Sequence, residues 1–368
     1  MITYCTNIHP GESWDEVFLN LQTHLLEVKK NVSPDDPFPV GLRLSNQAST
    51  QLNEKAVHQF NNWCEEHDCY IPTLNGFPYG SFHSSAVKEK VYTPDWRFQE
   101  RIDYTNRLAV LLDRWLPSGI TGSLSTVPVG FKGHISKEDY HMVRANLLSV
   151  LEHLDRLRQK SGKEIVLSLE PEPGCILETA RDVVDFFDRM EFPEMLRNYI
   201  GVCFDCCHQA VEFEKPEESF SLLEKADIKV GKIQVSSALR LKNAGPETLS
   251  KFCEPCYLHQ AVIRKNDGSL SHYNDISDAL ARHAMNPHEE WRIHFHVPVF
   301  IEEADIYETT RFFIENVLSL MGRKVLLEIE TYTWHVLPGD LQLYNVTDSI
   351  IREILWVQSQ LHEKNRRR

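Results

Sequence analysis

EIVLSLEPEPGCILETARDVVDFFDRM, residues 164–190, carries one complete folding unit. Ile165 to Leu169 is an apolar run of strand length. It breaks off at two carboxylates, Glu170 and Glu172, set between prolines. Thr179 is a helix-capping residue, and ARDVVDFFDRM behind it repeats its apolar positions at helical spacing. A strand, a polar tip and a capped helix follow one another within 27 residues.

The same unit recurs on both sides. Strand-like runs begin at Ile2 (ITYCTNIHP), Pro39 (PVGLRLS), Cys69 (CYIPTLNGFPYG), Ile120 (ITGSLSTVPV), Tyr199 (YIGVCFDCCH), Val230 (VGKIQVSSA), Arg292 (RIHFHVPVF) and Lys324 (KVLLEIETYTW). Helical patterns lie between them, such as WDEVFLNLQTHLLEVKK behind Ser13, with Val17, Leu21, Leu25 and Val28 on one face. Repeated strand–helix alternation predicts a parallel sheet, and this many units in 368 residues predict an α/β fold of the (β/α)8 TIM-barrel type. No Gly-x-Gly-x-x-Gly turn follows the first strand, which argues against a dinucleotide-binding sheet. Nine runs compete for eight barrel places, so either VGKIQVSSA or RIHFHVPVF is expected to be an addition. The region of roughly 239–290 contains a hairpin pattern, AVIRKNDGSLSHY, turning at Asp267-Gly268. It reads as an insertion into a single domain covering 1–368.

Composition narrows the function classes. With 42% hydrophobic and 25% charged residues the chain can bury a large core. The formal net charge of −14 opposes a phosphate backbone, so no nucleic-acid partner is expected. No apolar run is long enough to span a bilayer, and the N-terminus lacks the basic and apolar regions of a secretory signal, which predicts a cytoplasmic protein without membrane insertion. The nine cysteines then read as reduced thiols. Cys203 falls inside a strand, which fits a small buried apolar side chain better than a zinc knuckle.

Barrel enzymes carry their chemistry at the C-terminal ends of the strands. Those ends are polar here: Glu170 and Glu172 after the fifth run, Asp205-Cys-Cys-His208 after the sixth, His294 and His296 on one face of RIHFHVPVF, and Glu328 and Glu330 on one face of the last run. Asn75 ends the third run, with His83 just beyond. Each pair has a structural alternative in an ion pair or a core histidine. Together they are costly groups placed beside an apolar core, and carboxylates with imidazoles suit a divalent ion, Zn2+ or Mn2+, with Mg2+ also possible.

The order LSLEPEPG, GVCFDCCH, a His-bearing strand and LLEIETYTW resembles the xylose isomerase-like TIM-barrel superfamily, which includes sugar isomerases, ketose epimerases and nucleases of the endonuclease IV type. The resemblance implies a divalent metal held by Glu170, Asp205, a histidine and Glu330, with Glu328 as the alternative last ligand. The third ligand departs from the family pattern. Counted from Asp205 it falls on Gln234; counted back from Glu330 it falls on His296, with His294 beside it. The resemblance also implies Glu170 and Glu330 as the catalytic pair and His208 on a substrate hydroxyl. Asn75, His83, Arg43 and Trp334 are candidates for the pocket lining. A finer likeness, carried by TLNGFPYGSFH, VYTPDW, HFHVPVF and ETYTWHVLP, is to the metabolite-traffic barrels of the bacterial ebo operon, the EboE family.

The expected activity is isomerisation or epimerisation of a sugar-like polyol or ketose, a small-molecule metabolite. Carboxylates would move a proton beside a carbonyl while a metal stabilises the enediolate. The alternatives are a metal-dependent hydrolase such as a phosphodiesterase, and a non-catalytic carrier of a metabolite. An oligomer is possible.

Overall fold

Seven strands come first along the chain: β1 (Ile2–Tyr4), β2 (Phe38–Arg43), β3 (Cys69–Asn75), β4 (Gly122–Thr126), β5 (Ile165–Leu169), β6 (Ile200–Asp205) and β7 (Lys229–Val235). Six more follow without returning to them: β8 (Ser237–Lys242), β9 (Ala261–Arg264), β10 (Leu270–Tyr273), β11 (Glu290–Val297), β12 (Glu303–Ala304) and β13 (Tyr307–Thr309). β14 (Leu327–Ile329) is the last. The computed structural model describes residues 1–83, 86–242, 246–284, 286, 288–304, 307–321, 325–339, 341–342 and 344–367. The expected start of the last strand at Lys324 lies outside them.

The parallel sheet runs β1-β14-β7-β6-β5-β4-β3-β2, and a parallel bridge between Cys5 and Gly41 joins its two edges into a barrel. The second sheet runs β10-β9-β11-β8-β13-β12 with every pair antiparallel. VGKIQVSSA therefore supplies the seventh barrel strand, and RIHFHVPVF is the addition. The expected insertion at 239–290 is too short at both ends, because the second sheet begins at Ser237 and closes at Thr309. It has its own apolar core around Leu239, Phe252, Trp291 and Phe295. The hairpin turns as expected, with Gly268 at φ +84° and β9 paired to β10.

The helices start where the sequence places their caps. Ser13 accepts from the backbone N–H of Glu16, and Thr179 from that of Asp182, each with a reciprocal bond from the acid. The first helical stretch loosens into one wider turn at Leu21–Leu25 before continuing to Val32. Among the described residues no helix is long and apolar enough to cross a membrane.

The barrel interior is polar from below the mouth downward. Ser123 and Ser168 exchange a hydrogen bond at 2.9 Å, and the Lys232 ammonium meets the Glu328 carboxylate, both fully buried. Gly41 makes room for that pair, since a Cβ there would lie 1.9 Å from Glu328 Oε1. Glu328, the alternative last ligand, is thus paired with a cation beneath the mouth through Oε2, while its Oε1 has no hydrogen-bond partner.

Candidate active site

Asp205 ends β6 and caps the short helix Cys206–Val211. Its Oδ1 accepts from His208 N at 2.8 Å and from Ser236 Oγ at 2.8 Å. The D-x-x-H spacing is thus that of a cap and its third helical residue, which turns His208 back over the strand end. Cys206 and Cys207 fill the first turn of this helix, buried, and all nine cysteines are free thiols.

Glu170 ends β5 and holds its backbone N–H on Thr126 O at 3.1 Å. Glu330 follows β14, where Asn7 Nδ2 at 2.7 Å and Asn75 Nδ2 at 3.2 Å both donate to its Oε1. His296 arrives from β11 of the second sheet. Its Nδ1 lies 2.8 Å from Glu330 O; a carbonyl only accepts, so Nδ1 carries the proton and Nε2 presents a lone pair. Four donor residues from both sheets now converge. One atom each of Glu170, Asp205 and Glu330 lie within 4.8 Å of one another, as do one atom each of Asp205, His208 and His296.

The free atoms of this group are its diagnostic feature. Glu170 Oε2, Asp205 Oδ2 and His296 Nε2 are buried with no hydrogen-bond partner. Among the described residues, no lysine or arginine pairs with any of these three buried carboxylates. Burial, then the charge of Glu330, pushes Glu170 well above the carboxylate range, and burial, then Asp205, raises Glu330 to about 8. Burial holds His296 down at about 4 and His208 at about 3, so both imidazoles are neutral at pH 7. Unpaired carboxyl oxygens, which a divalent ion would deprotonate on binding, beside a neutral imidazole lone pair are a donor set that suits such an ion. Gln234 stands next to Asp205 in the strand register, buried, with neither amide atom paired.

A second polar group flanks the first. Tyr92 Oη donates to Glu172 Oε1 at 2.7 Å, and Gln260 bridges Glu172 to His294. Glu172, His208, His294, Glu170 and Glu330 all face one cavity of about 50 Å³, whose apolar walls include Phe77, Phe82, Tyr257 and Tyr332.

Of the expected lining residues only Asn75 and His208 reach this cavity. Arg43 does not: its guanidinium is spent on Glu12, Gly11 O and Gly80 O. His83 lies behind Phe82, ring centroids 5.0 Å apart, and Trp334 packs between the two apolar cores. Tyr332, two residues before Trp334, is the aromatic that lines the pocket. Asn7, Tyr92 and Gln260 were missed. Asn7 had a usable signal, since it continues the alternation Thr3, Cys5, Asn7 past the end of β1.

The closed parallel barrel is an α/β fold of the TIM-barrel type, with polar residues clustered at its strand ends. No protein-family model and no curated protein matches the sequence. Solved structures match the fold. A xylose isomerase-like TIM-barrel protein from Mycobacterium smegmatis, in complex with magnesium, aligns at TM-score 0.56 with 12% identity, covering 99% of this chain and 97% of its own. An L-ribulose 3-epimerase aligns at TM-score 0.53 with 11% identity over 100% and 96%. The probable 3-DHS dehydratase AsbF of Bacillus anthracis aligns at TM-score 0.53 with 13% identity over 97% and 98%.

Proposed function

We propose that this chain is a divalent-metal-dependent isomerase or epimerase of a small sugar-like polyol or ketose. The observation that carries the reading is the set of unpaired buried atoms on Glu170, Asp205 and His296, closed by Glu330. These four residues would hold the ion, which when bound supplies Lewis-acid polarisation of a substrate oxygen.

The chain's own groups do the rest. Glu170 and Glu330 approach the cavity from different strands, so each can take or return a proton at one face of a bound carbon. Burial lifts Glu330 to about 8, which suits a carboxylate that must both accept and release a proton near neutrality. Asn7 and Asn75 hold Glu330 Oε1 in place. Glu172 and His208 face the same cavity and can bind substrate hydroxyls, while Tyr257, Tyr332, Phe77 and Phe82 limit its size and exclude water. The likeness to the ebo-operon metabolite-traffic barrels rests on sequence motifs and belongs to this reading as a possible setting for the metabolite.

The test is deuterium exchange at carbon. Purified protein loaded with Mn2+, Zn2+ or Mg2+ is incubated in D2O with a panel of ketoses and polyols, and C–H exchange is followed by NMR. Exchange should occur in wild type and fall at least about 100-fold in Glu330→Gln, the low end of what a positioned acid–base group contributes. Full activity in that variant would sink the proposal. The hydrolytic alternative has one observation in its favour, the further donor group at Glu172, His208 and His294. Turnover of a phosphodiester probe without any C–H exchange would decide for it.

A further inference from the structure

The two imidazoles flanking the proposed metal site face each other in a way their own partners forbid. His208 Nδ1 is 2.8 Å from Pro171 O. A carbonyl only accepts, so this nitrogen carries the hydrogen and Nε2 is left with a lone pair. His294 is set by one more step. Gln260 Nε2 lies 2.8 Å from Pro173 O, which identifies that atom as the amide nitrogen. The other amide atom, Oε1, is therefore an acceptor, and it lies 2.7 Å from His294 Nδ1. His294 too must carry its hydrogen on Nδ1 and a lone pair on Nε2. The two Nε2 atoms are 3.1 Å apart.

Two lone pairs at hydrogen-bond distance with no hydrogen between them repel. Both rings are buried. Tyr332 Oη, 3.3 Å from His294 Nε2, can donate to that nitrogen but leaves His208 unserved. A positive species between the rings resolves the conflict. The third group of the cluster is a carboxyl: a Glu172 oxygen lies within 4.8 Å of a ring nitrogen of each histidine. The hydrogen bonds Glu172 receives from Tyr92 and Gln260 both fall on Oε1.

We propose that Glu172, His208 and His294 bind a second divalent transition-metal ion, of the Zn2+ type, beside the Glu170–Asp205–His296–Glu330 set. Two imidazoles and one carboxylate are a ligand set that holds Zn2+ with a fourth position open. At Zn–N distances of about 2.0–2.1 Å, two tetrahedral nitrogen ligands stand about 3.3 Å apart. The observed 3.1 Å separation needs only a small opening to reach it. The open position faces the cavity shared with the first site. Gln260, donating to Pro173 O and accepting from His294, is the positioning residue that orients the His294 ring. The second site goes beyond the proposed activity and holds whether the first site isomerises or hydrolyses.

Metal-stripped full-length protein is titrated with Zn2+ by calorimetry, and the bound metal is counted by elemental analysis. Wild type should bind two ions per chain. His294→Ala should bind one, and Asp205→Asn should lose the other. Glu172→Gln, a near-isosteric change, is the second variant in case His294→Ala does not fold, with circular dichroism confirming structure. With Co2+ as the probe, the visible d–d bands of wild type should be the sum of the two variants' bands. One Zn2+ per chain in wild type, unchanged in both His294→Ala and Glu172→Gln, would overturn the second site. So would a proton shared between the rings, seen by NMR as a far-downfield N–H that persists in saturating Zn2+. Neither result touches the Glu330→Gln exchange assay, so the two readings fail separately.

Discussion

Glu328 and Glu330 sit two residues apart on one strand and face the same barrel interior, yet they are opposite cases. Glu328, at the floor, is paired with Lys232, and the charge there closes on itself. Burial pulls Lys232 towards neutrality, but Glu328 and other anionic neighbours more than offset it. Glu330, at the mouth, meets Glu170 and Asp205 and receives only the amides of Asn7 and Asn75. The floor carries its own counter-charge; the mouth does not, and there the proposed ion would supply it.

The floor and the mouth should therefore answer mutation with opposite signs. The largest effect is expected at the floor. Lys232→Met leaves Glu328 buried without a cation and should cost roughly 3–5 kcal/mol in chemical denaturation. A double change, Lys232→Met with Glu328→Leu, should recover most of that loss. At the mouth, Asp205→Asn removes repulsion from the metal-free chain, so its melting temperature should hold or rise while divalent-metal affinity falls more than about 100-fold, since losing a ligand costs more than losing its supporting shell. A lower melting temperature of the metal-free variant would erase the contrast.

Ser236→Ala tests the support behind the mouth. Ser236 donates to Asp205 Oδ1 and accepts from Cys207 N. Its loss should weaken metal binding by about 10–100-fold in calorimetric titration and leave stoichiometry unchanged. Glu353 supplies a third environment: it is fully buried, held by Thr331 Oγ1 at 2.7 Å and Val299 N at 3.1 Å. Burial raises it from 4.5 to about 7. Its folded value lies above its unfolded one, so its stabilising contribution is complete below about pH 4.5 and is lost as pH rises through about 7. Glu353→Gln should flatten the stability profile over that window by at most about 1.4 kcal/mol per pH unit. The smallest effect is the cap: Thr179→Ala should cost about 1 kcal/mol in denaturation and leave metal affinity untouched.

Much of this was readable from residue order. Strand–helix alternation and capping residues such as Ser13 and Thr179 are local signals, and local hydrogen bonds realise them. Carboxylates at the ends of apolar runs stood out because their placement is costly unless something uses it. What resisted reading was depth and partnership. Glu328 and Glu330 share a face, and only the Lys232 ammonium from a neighbouring strand tells floor from mouth. VGKIQVSSA and RIHFHVPVF both read as buried strands, because each is covered on both sides and periodicity says nothing of which sheet a strand joins. Arg43, His83 and Trp334 have the chemistry of pocket residues, but Glu12, Phe82 and the two apolar cores claim them first. Tyr92 ends a short 3-10 helix and Gln260 lies in the segment before β9, and their roles exist only once Glu172 is beside them.

His296 belongs to β11, outside the barrel ladder. The seventh strand places Gln234 beside Asp205, and His296 of the second sheet reaches the same carboxylate. In the proposed metal site, one ligand would therefore come from outside the barrel ladder. On the proposed ligand set, Gln234 can change without removing a ligand, whereas losing the appended sheet would remove His296. An ion held from both sheets would act as a rivet, and the insertion, which looks like decoration in the topology, becomes the one addition this barrel cannot shed.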